Sequence, residues 1–427
     1  MKRYNCLIAI LLVAILTIVF MTSCAGTSPP STQAPPPTTV APPPPASSSA
    51  VPPPPASTSV AKPQTLKIGV IVSITGPVAP GLKSMYDAIK PTQDLLNQMG
   101  GITVNGQKYN IEYDVQDDKS SPPDGVAAIN RLIQNGVKYL IAPIVPPIGL
   151  AIAPICEQAK ILRVNPSQPE ASFYGKENSL YFNAFMSSYN IPATYDFLVK
   201  HYPNVKKIAQ IVPDDPGSVT ESDMSSQECA KHGLTLVAKE RFPNDTADFT
   251  SIVTKMLAQK PDAIDAVGEL PIWTVSIINS ARDQGFTGPV FGGSILGDPN
   301  LLISMVKPPY LDDIFTATPD VLNDQMSPVV KQLRPMVEKT GSQFIFDSVN
   351  DLNSTTVMLA GIQKAQSFDT DKVKEALESM DGLEIPWGKA VWRGQELGVL
   401  NHLLKLEKVP ISWIMKGKVQ FEFVPNQ

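Results

Sequence analysis

Histidine is almost missing from this chain: His201, His232 and His402 are the three in 427 residues. None stands at a spacing that suits a metal site or a catalytic triad. Cysteine is scarce as well, at four residues. There is no Cys-x-x-Cys pair, no glycine-rich phosphate loop and no Gly-x-Ser-x-Gly elbow, so the common motifs of thiol redox, phosphate binding and serine hydrolysis are absent. Charge is thin too: 18% of residues are charged, the net charge is −5 and no basic block occurs, which argues against nucleic acid as a partner. No motif of these kinds marks a catalytic centre, a metal site or a cofactor, which makes a hydrolase a poor reading.

What is abundant is proline, and it is concentrated near the start. Lys2 and Arg3 precede an apolar run from Cys6 to Phe20, followed by Met21-Thr22-Ser23-Cys24-Ala25-Gly26. A basic start, an apolar centre and small residues at the end form the pattern of a secretory signal. The run falls short of the roughly 20 residues that a spanning helix needs, which favours cleavage. Cys24 after a small residue resembles the lipobox of bacterial lipoproteins, although Met21 stands where leucine is usual; the resemblance implies that Cys24 is lipidated and becomes the new N-terminus. From Ser28 to Pro63 the chain is almost entirely Pro, Ser, Thr, Ala and Val, and residues 41–49 nearly repeat as 51–59. Such a stretch lacks the apolar bulk for a core, and its prolines favour an extended spacer. A docking segment for proline-binding modules is the rival reading. Of the two remaining cysteines, Cys156 and Cys229 lie in separate helix-like stretches, 152–159 and 225–232, and read as two buried thiols rather than a bridge.

Beyond the spacer, strand and helix patterns alternate. Leu66–Ile74 is β-branched and apolar, and Thr75-Gly76-Pro77 ends it. Met85, Ile89, Leu95 and Leu96 mark a helix that Gly100-Gly101 stops. Strands follow at 109–115, 139–142 and 161–164, with helices opened by Pro122 and by Ile148 between them. A second series runs from a helix at 192–202, with Pro192 at its first position, to a short strand at 290–291. Three helices at 327–340, 350–365 and 371–379 precede strands at 402–408, 412–415 and 419–423, the last two joined at Lys416-Gly417-Lys418. Alternation of this kind gives an α/β fold with parallel sheets wrapped by helices, here as two units in series. Ligands of such sheets bind at the carboxyl ends of the strands.

The order of motifs resembles one family, the solute-binding proteins of ABC importers for branched-chain amino acids and related compounds, of type I periplasmic binding protein fold. The residues that carry it are Leu66-Lys-Ile-Gly-Val70 with Ile74-Thr-Gly-Pro77, Asn97-Gln-Met-Gly-Gly-Ile102, and Asp117-Asp-Lys-Ser120 before Val126–Ile133. Tyr139-Leu-Ile-Ala-Pro143, Ala281-Arg-Asp-Gln-Gly285 and Phe291-Gly-Gly-Ser294 complete the set. The resemblance implies two Rossmann-like lobes and a hinge: residues 1–23 as signal, 24–64 as lipidated Cys and stalk, 65–186 and 319–391 as the first lobe, 187–318 as the main part of the second, and 392–427 as strands completing it. Crossings between lobes are expected near 185–188, 317–320 and 391–394. It also implies an extracytoplasmic, lipid-anchored monomer that delivers a small ligand to importer permease subunits. Sensing for a signalling receptor, and import of aromatic or other organic acids, are the alternatives.

Candidate ligand contacts follow position by position. Relatives hold a ligand carboxylate with hydroxyls and N–H groups after the third strand. Here that loop is Ile144-Val-Pro-Pro-Ile-Gly149: it has no hydroxyl, Pro146 and Pro147 have no N–H, and Ile148 and Gly149 remain as donors. Ser167 and Gln168, after the fourth strand, read as polar contacts or as surface turn. Asp215 reads as a helix cap or a ligand contact. Glu269 reads as a partner for a ligand ammonium or as an ordinary structural residue, Trp273 as a stacking contact or core packing, and Ser294 stands where amino-acid binders of the family carry an acid. These departures point away from ordinary amino-acid recognition.

Overall fold

Apolar runs that are buried on both faces become parallel strands, and amphipathic stretches between them become covering helices. The computed structural model describes residues 64–166, 175–185, 187–268, 271–293 and 296–426. The signal, Cys24 and the stalk lie outside the described residues, as do Ser167, Gln168, Glu269 and Ser294. No helix among the described residues is long and apolar enough to cross a membrane.

The chain opens with β1 (Gln64–Val72), α1 (Ala79–Gln98), the hairpin β2 (Ile102–Val104) and β3 (Gln107–Asp117), α2 (Pro122–Gln134), β4 (Tyr139–Ile141), α3 (Pro146–Gln158), β5 (Leu162–Asn165) and β6 (Tyr181–Asn183). It continues through α4 (Ile191–His201), β7 (Lys207–Pro213), α5 (Pro216–Lys231), β8 (Thr235–Phe242), α6 (Thr250–Leu257), β9 (Ala263–Ala266), α7 (Pro271–Asp283), β10 (Val290–Gly292), α8 (Pro299–Met305) and β11 (Ile314–Thr316). It closes with α9 (Pro328–Glu338), α10 (Asn350–Ala365), α11 (Thr370–Glu378), β12 (Leu383–Ile385), β13 (Gly388–Arg393), β14 (Leu403–Leu406), β15 (Lys408–Met415) and β16 (Lys418–Pro425). Pro192 is the second helical residue rather than the first, because Asn190 is the residue before α4.

Two sheets result. The first runs β12-β13-β14-β6-β5-β4-β1-β3-β2 and the second β16-β15-β11-β10-β9-β7-β8. Their centres are parallel and their antiparallel pairs sit toward the edges. One core gathers Ile68, Val70, Tyr139, Ile141, Val164 and Phe182 under α1, α9 and α10. The second sheet is covered on its two faces, by Ile211, Ala266 and Ile277 in one cluster and by Phe197, Phe291 and Phe315 in the other. The chain passes from the first sheet to the second after β6 and returns after β11.

The last passage corrects the expected boundary at 391–394. β13 and β14 both belong to the first sheet, because Ala390, Trp392, Leu404 and Leu406 all bury into its core. Val409 and Ile411 bury into the second, so the third crossing is the single residue Glu407. Cys156 and Cys229 are both buried free thiols, and burial pushes them up to about 12 and about 11.

Candidate functional site

In parallel sheets the loops after the strands gather at one edge, where helix N-termini also point. On the first sheet, the loop after β1 is held by the turn after β3. Asp117 Oδ1 accepts from the N–H groups of Ile74 and Thr75 at 3.0 and 3.2 Å, and Oδ2 accepts from the Thr75 hydroxyl at 2.6 Å. Partial burial pushes this carboxyl up, but the Thr75 hydroxyl and the neighbouring N–H groups outweigh it and hold it below the usual range. Asp118 Oδ1 accepts from Ser73 Oγ at 2.5 Å and from Ser120 N–H at 2.8 Å, while its buried Oδ2 has no partner. The approach is close enough to demand glycine at 76: φ is +92°, and a Cβ there would lie 2.3 Å from the Lys119 carbonyl.

The loop after β4 leads into α3. Val145 precedes the helix and supplies no side-chain cap, and Pro146 and Pro147 occupy its first two positions. Ile148 and Gly149 both donate their N–H groups to the Val145 carbonyl, at 3.1 Å each. The two donors expected for a ligand are therefore engaged within the helix, and both residues are buried. Asn165 Nδ2 donates to the Pro143 carbonyl at 3.0 Å, which ties this loop to the one after β5.

On the second sheet, Asp215 caps α5, accepting from the N–H and the hydroxyl of Ser218 at 3.0 and 2.8 Å. Its carboxylate is thus used in capping, which leaves one of the two expected roles observed. Trp273 packs edge-on against Phe242, centroids 5.3 Å apart, at the margin of the core. Gly268, with φ +66°, passes so near α5 that a Cβ would lie 2.6 Å from Ser218 Oγ. Gly293 N–H donates to Asp265 Oδ1 at 2.8 Å. Asp265 is fully buried and also accepts from Tyr195 OH at 2.9 Å, Gln210 Nε2 at 3.2 Å and Ser225 Oγ. Burial raises its pKa, opposed by these donors.

Several of these holding residues were not singled out from the sequence. Asp265 sits inside an apolar strand, and only its placement beside four donors reveals its task. Near the crossings, Ser187 Oγ donates to Glu221 Oε1 at 2.8 Å. Asp298, the cap of α8 on the second lobe, accepts from Phe346 N–H of the first at 2.9 Å. Burial pushes Asp298 and its neighbour Asp347 each up to about 6. A groove of about 770 Å³ is lined by α1 and α9 with Ile74 and Val115. It is built from the first lobe alone, so an occupant would not distinguish open from closed lobes.

A family model described as periplasmic binding protein matches residues 65–409. The chain belongs to the periplasmic binding protein family. Among curated relatives of this family, the Leu/Ile/Val-binding protein BraC3 of Rhizobium johnstonii is 23% identical over 326 residues, 75% of this chain and 85% of the relative. The leucine-, isoleucine-, valine-, threonine- and alanine-binding protein of Pseudomonas aeruginosa is 22% identical, over 78% of this chain and 87% of the relative. A solved structure of the substrate-binding protein LivJ from Streptococcus pneumoniae, in complex with isoleucine, superposes with a TM-score of 0.68 at 18% identity, over 85% of this chain and all of that one. An R. palustris solute-binding protein in complex with benzoate reaches 0.66 at 16% identity, over 84% of this chain and 97% of that one. The two mostly parallel sheets with interleaved helices match the type I architecture of these structures.

Proposed function

We propose that this protein is the extracytoplasmic ligand-capturing subunit of an ABC importer, taking an amino acid or related small organic molecule between its two lobes. The observation that carries this is the double sheet with three passages between the halves, so that strand-end loops of both halves can close on one ligand. Only a ligand touching both lobes can shift the balance between open and closed forms. Glu269 and Ser294, reached through Gly268 and Gly293, are the proposed contacts of the second lobe, and Ser167 with Gln168 those of the first. Cys24 is the proposed lipid anchor and the proline-rich segment its stalk; two or more acyl chains, at about 0.8 kcal/mol per buried methylene, hold a protein to a membrane firmly. The working form is a monomer. The benzoate complex of an R. palustris neighbour supports a second cargo class, aromatic acids.

Deletion of the gene, followed by uptake measurements on labelled amino acids and aromatic acids, tests the reading. Loss of uptake of one compound is expected. Intact uptake of every compound with loss of an induced response would instead favour a sensing role. Cys24→Ser should release the protein from the membrane fraction and abolish its labelling with an alkynyl fatty acid.

A further inference from the structure

The end of α3 that faces the strand-end loops differs from a working anion site in three independent ways. Its first two residues, Pro146 and Pro147, have no N–H. Its next two N–H groups, of Ile148 and Gly149, are spent on one carbonyl, that of Val145. Its capping position is filled by valine, so no hydroxyl stands there. A helix N-terminus attracts anions through its free N–H groups, and the first four residues of this helix offer none: two are prolines and the next two donate to Val145.

The same edge is rich in apolar surface. Ile74, after β1, and Ile144, after the adjacent β4, are half-buried and rest on the first core. Pro146 and Pro147 are exposed. Val78, which precedes α1, is 39% exposed, and Leu150 in α3 is 46% exposed. On the second lobe Ile272, at the start of α7, is 63% exposed. Exposed apolar side chains at the corresponding edge of both sheets gain by covering one another or an apolar guest.

From this we infer that the cargo turns an apolar face, not a carboxylate, toward the first lobe: a branched hydrocarbon or aromatic ring whose polar group is carried at the opposite end, toward the second lobe. The inference rests on the reading as an importer subunit and narrows its cargo away from the free α-amino acid. Pro146 and Pro147 are then specificity residues, which keep a carboxylate from being gripped where α3 begins.

The test is calorimetric titration of the full chain with two matched pairs, 4-methylpentanol against 4-methylpentanoate and benzyl alcohol against benzoate. It is run on the wild type and on the double variant Pro146→Ser, Pro147→Ser, which restores two N–H groups and two hydroxyls at positions that serine tolerates. Circular dichroism melting confirms that the variant folds. The double variant should shift the acid-to-alcohol affinity ratio at least about tenfold toward the acid, the worth of one charge-assisted hydrogen bond. A ratio that the variant leaves unmoved overturns the inference. Neither result touches the importer reading, which the uptake measurement on the deletion strain decides separately.

Discussion

Two fully buried aspartates, one chosen from each lobe, live in opposite surroundings. Asp265 on β9 of the second lobe has donors on both oxygens: Gly293 N–H, Tyr195 OH, Gln210 Nε2 and Ser225 Oγ. Asp351 on α10 of the first lobe has none, and both its oxygens are buried without a partner. Burial alone pushes Asp351 up to about 8, so it is carried mainly as a neutral acid at pH 7. Desolvation penalises the charged form of both and raises the pKa of both, but only Asp265 has hydrogen bonds that offset part of the penalty. The same residue type is therefore a loop anchor in one lobe and a latent charge in the other.

Asp265→Ala should break this contrast with the largest effect. It strands the Gly293 N–H, the Tyr195 hydroxyl and the Gln210 amide in the interior, at a cost of about 3 kcal/mol or more, read by urea unfolding. Asp351→Asn should cost far less near pH 7, because it replaces an acid that is already mainly neutral.

The pH dependence sharpens the same point. Unfolded aspartate titrates near about 3.9, and Asp298, Asp347 and Asp351 all titrate higher in the folded protein, at about 6, about 6 and about 8. The folded state then binds more protons, so their contribution is complete below about pH 4 and is lost as pH rises through 6 and 8. Each group adds a slope of up to about 1.4 kcal/mol per pH unit while it titrates. Melting temperature should fall from about pH 4 to about pH 8, and Asp351→Asn should flatten the upper part of that fall.

Smaller effects separate capping from binding in the second lobe. Asp298→Ala removes the cap of α8 and the bond to Phe346, about 1–2 kcal/mol. Asp215→Ala should cost about 1 kcal/mol and leave ligand affinity unchanged, since the carboxylate is committed to Ser218; a loss of affinity at equal stability would make it a ligand contact. Arg241→Ala breaks an exposed pair with Asp214 and should cost under about 1 kcal/mol.

Much of the architecture could be read from residue patterns, because apolar runs and helical periodicity are local. The final hairpin was visible in Lys416-Gly417, which adopt φ of +52° and +67° between Met415 and Lys418. The β2–β3 hairpin was missed although Asn105-Gly106 is a strong turn signal, with φ of +49° and +77°. β6 and β11 were missed because three residues are too few to show a period. The third crossing was misplaced because a strand pattern does not say which sheet it joins; that follows from where Trp392 and Leu404 find a core. At the candidate site, the two prolines were legible at once, and capping by Asp215 was one of two open readings. The fate of the Ile148 and Gly149 donors was not legible, because it depends on where the Val145 carbonyl points. Trp273 was ambiguous because its partner, Phe242, is remote in sequence.

Small-angle scattering across a titration tests the central claim most directly. As 4-methylpentanol or benzyl alcohol saturates the full chain, the account predicts a smaller radius of gyration as the lobes close. Saturable binding with an unchanged radius would contradict capture between the lobes.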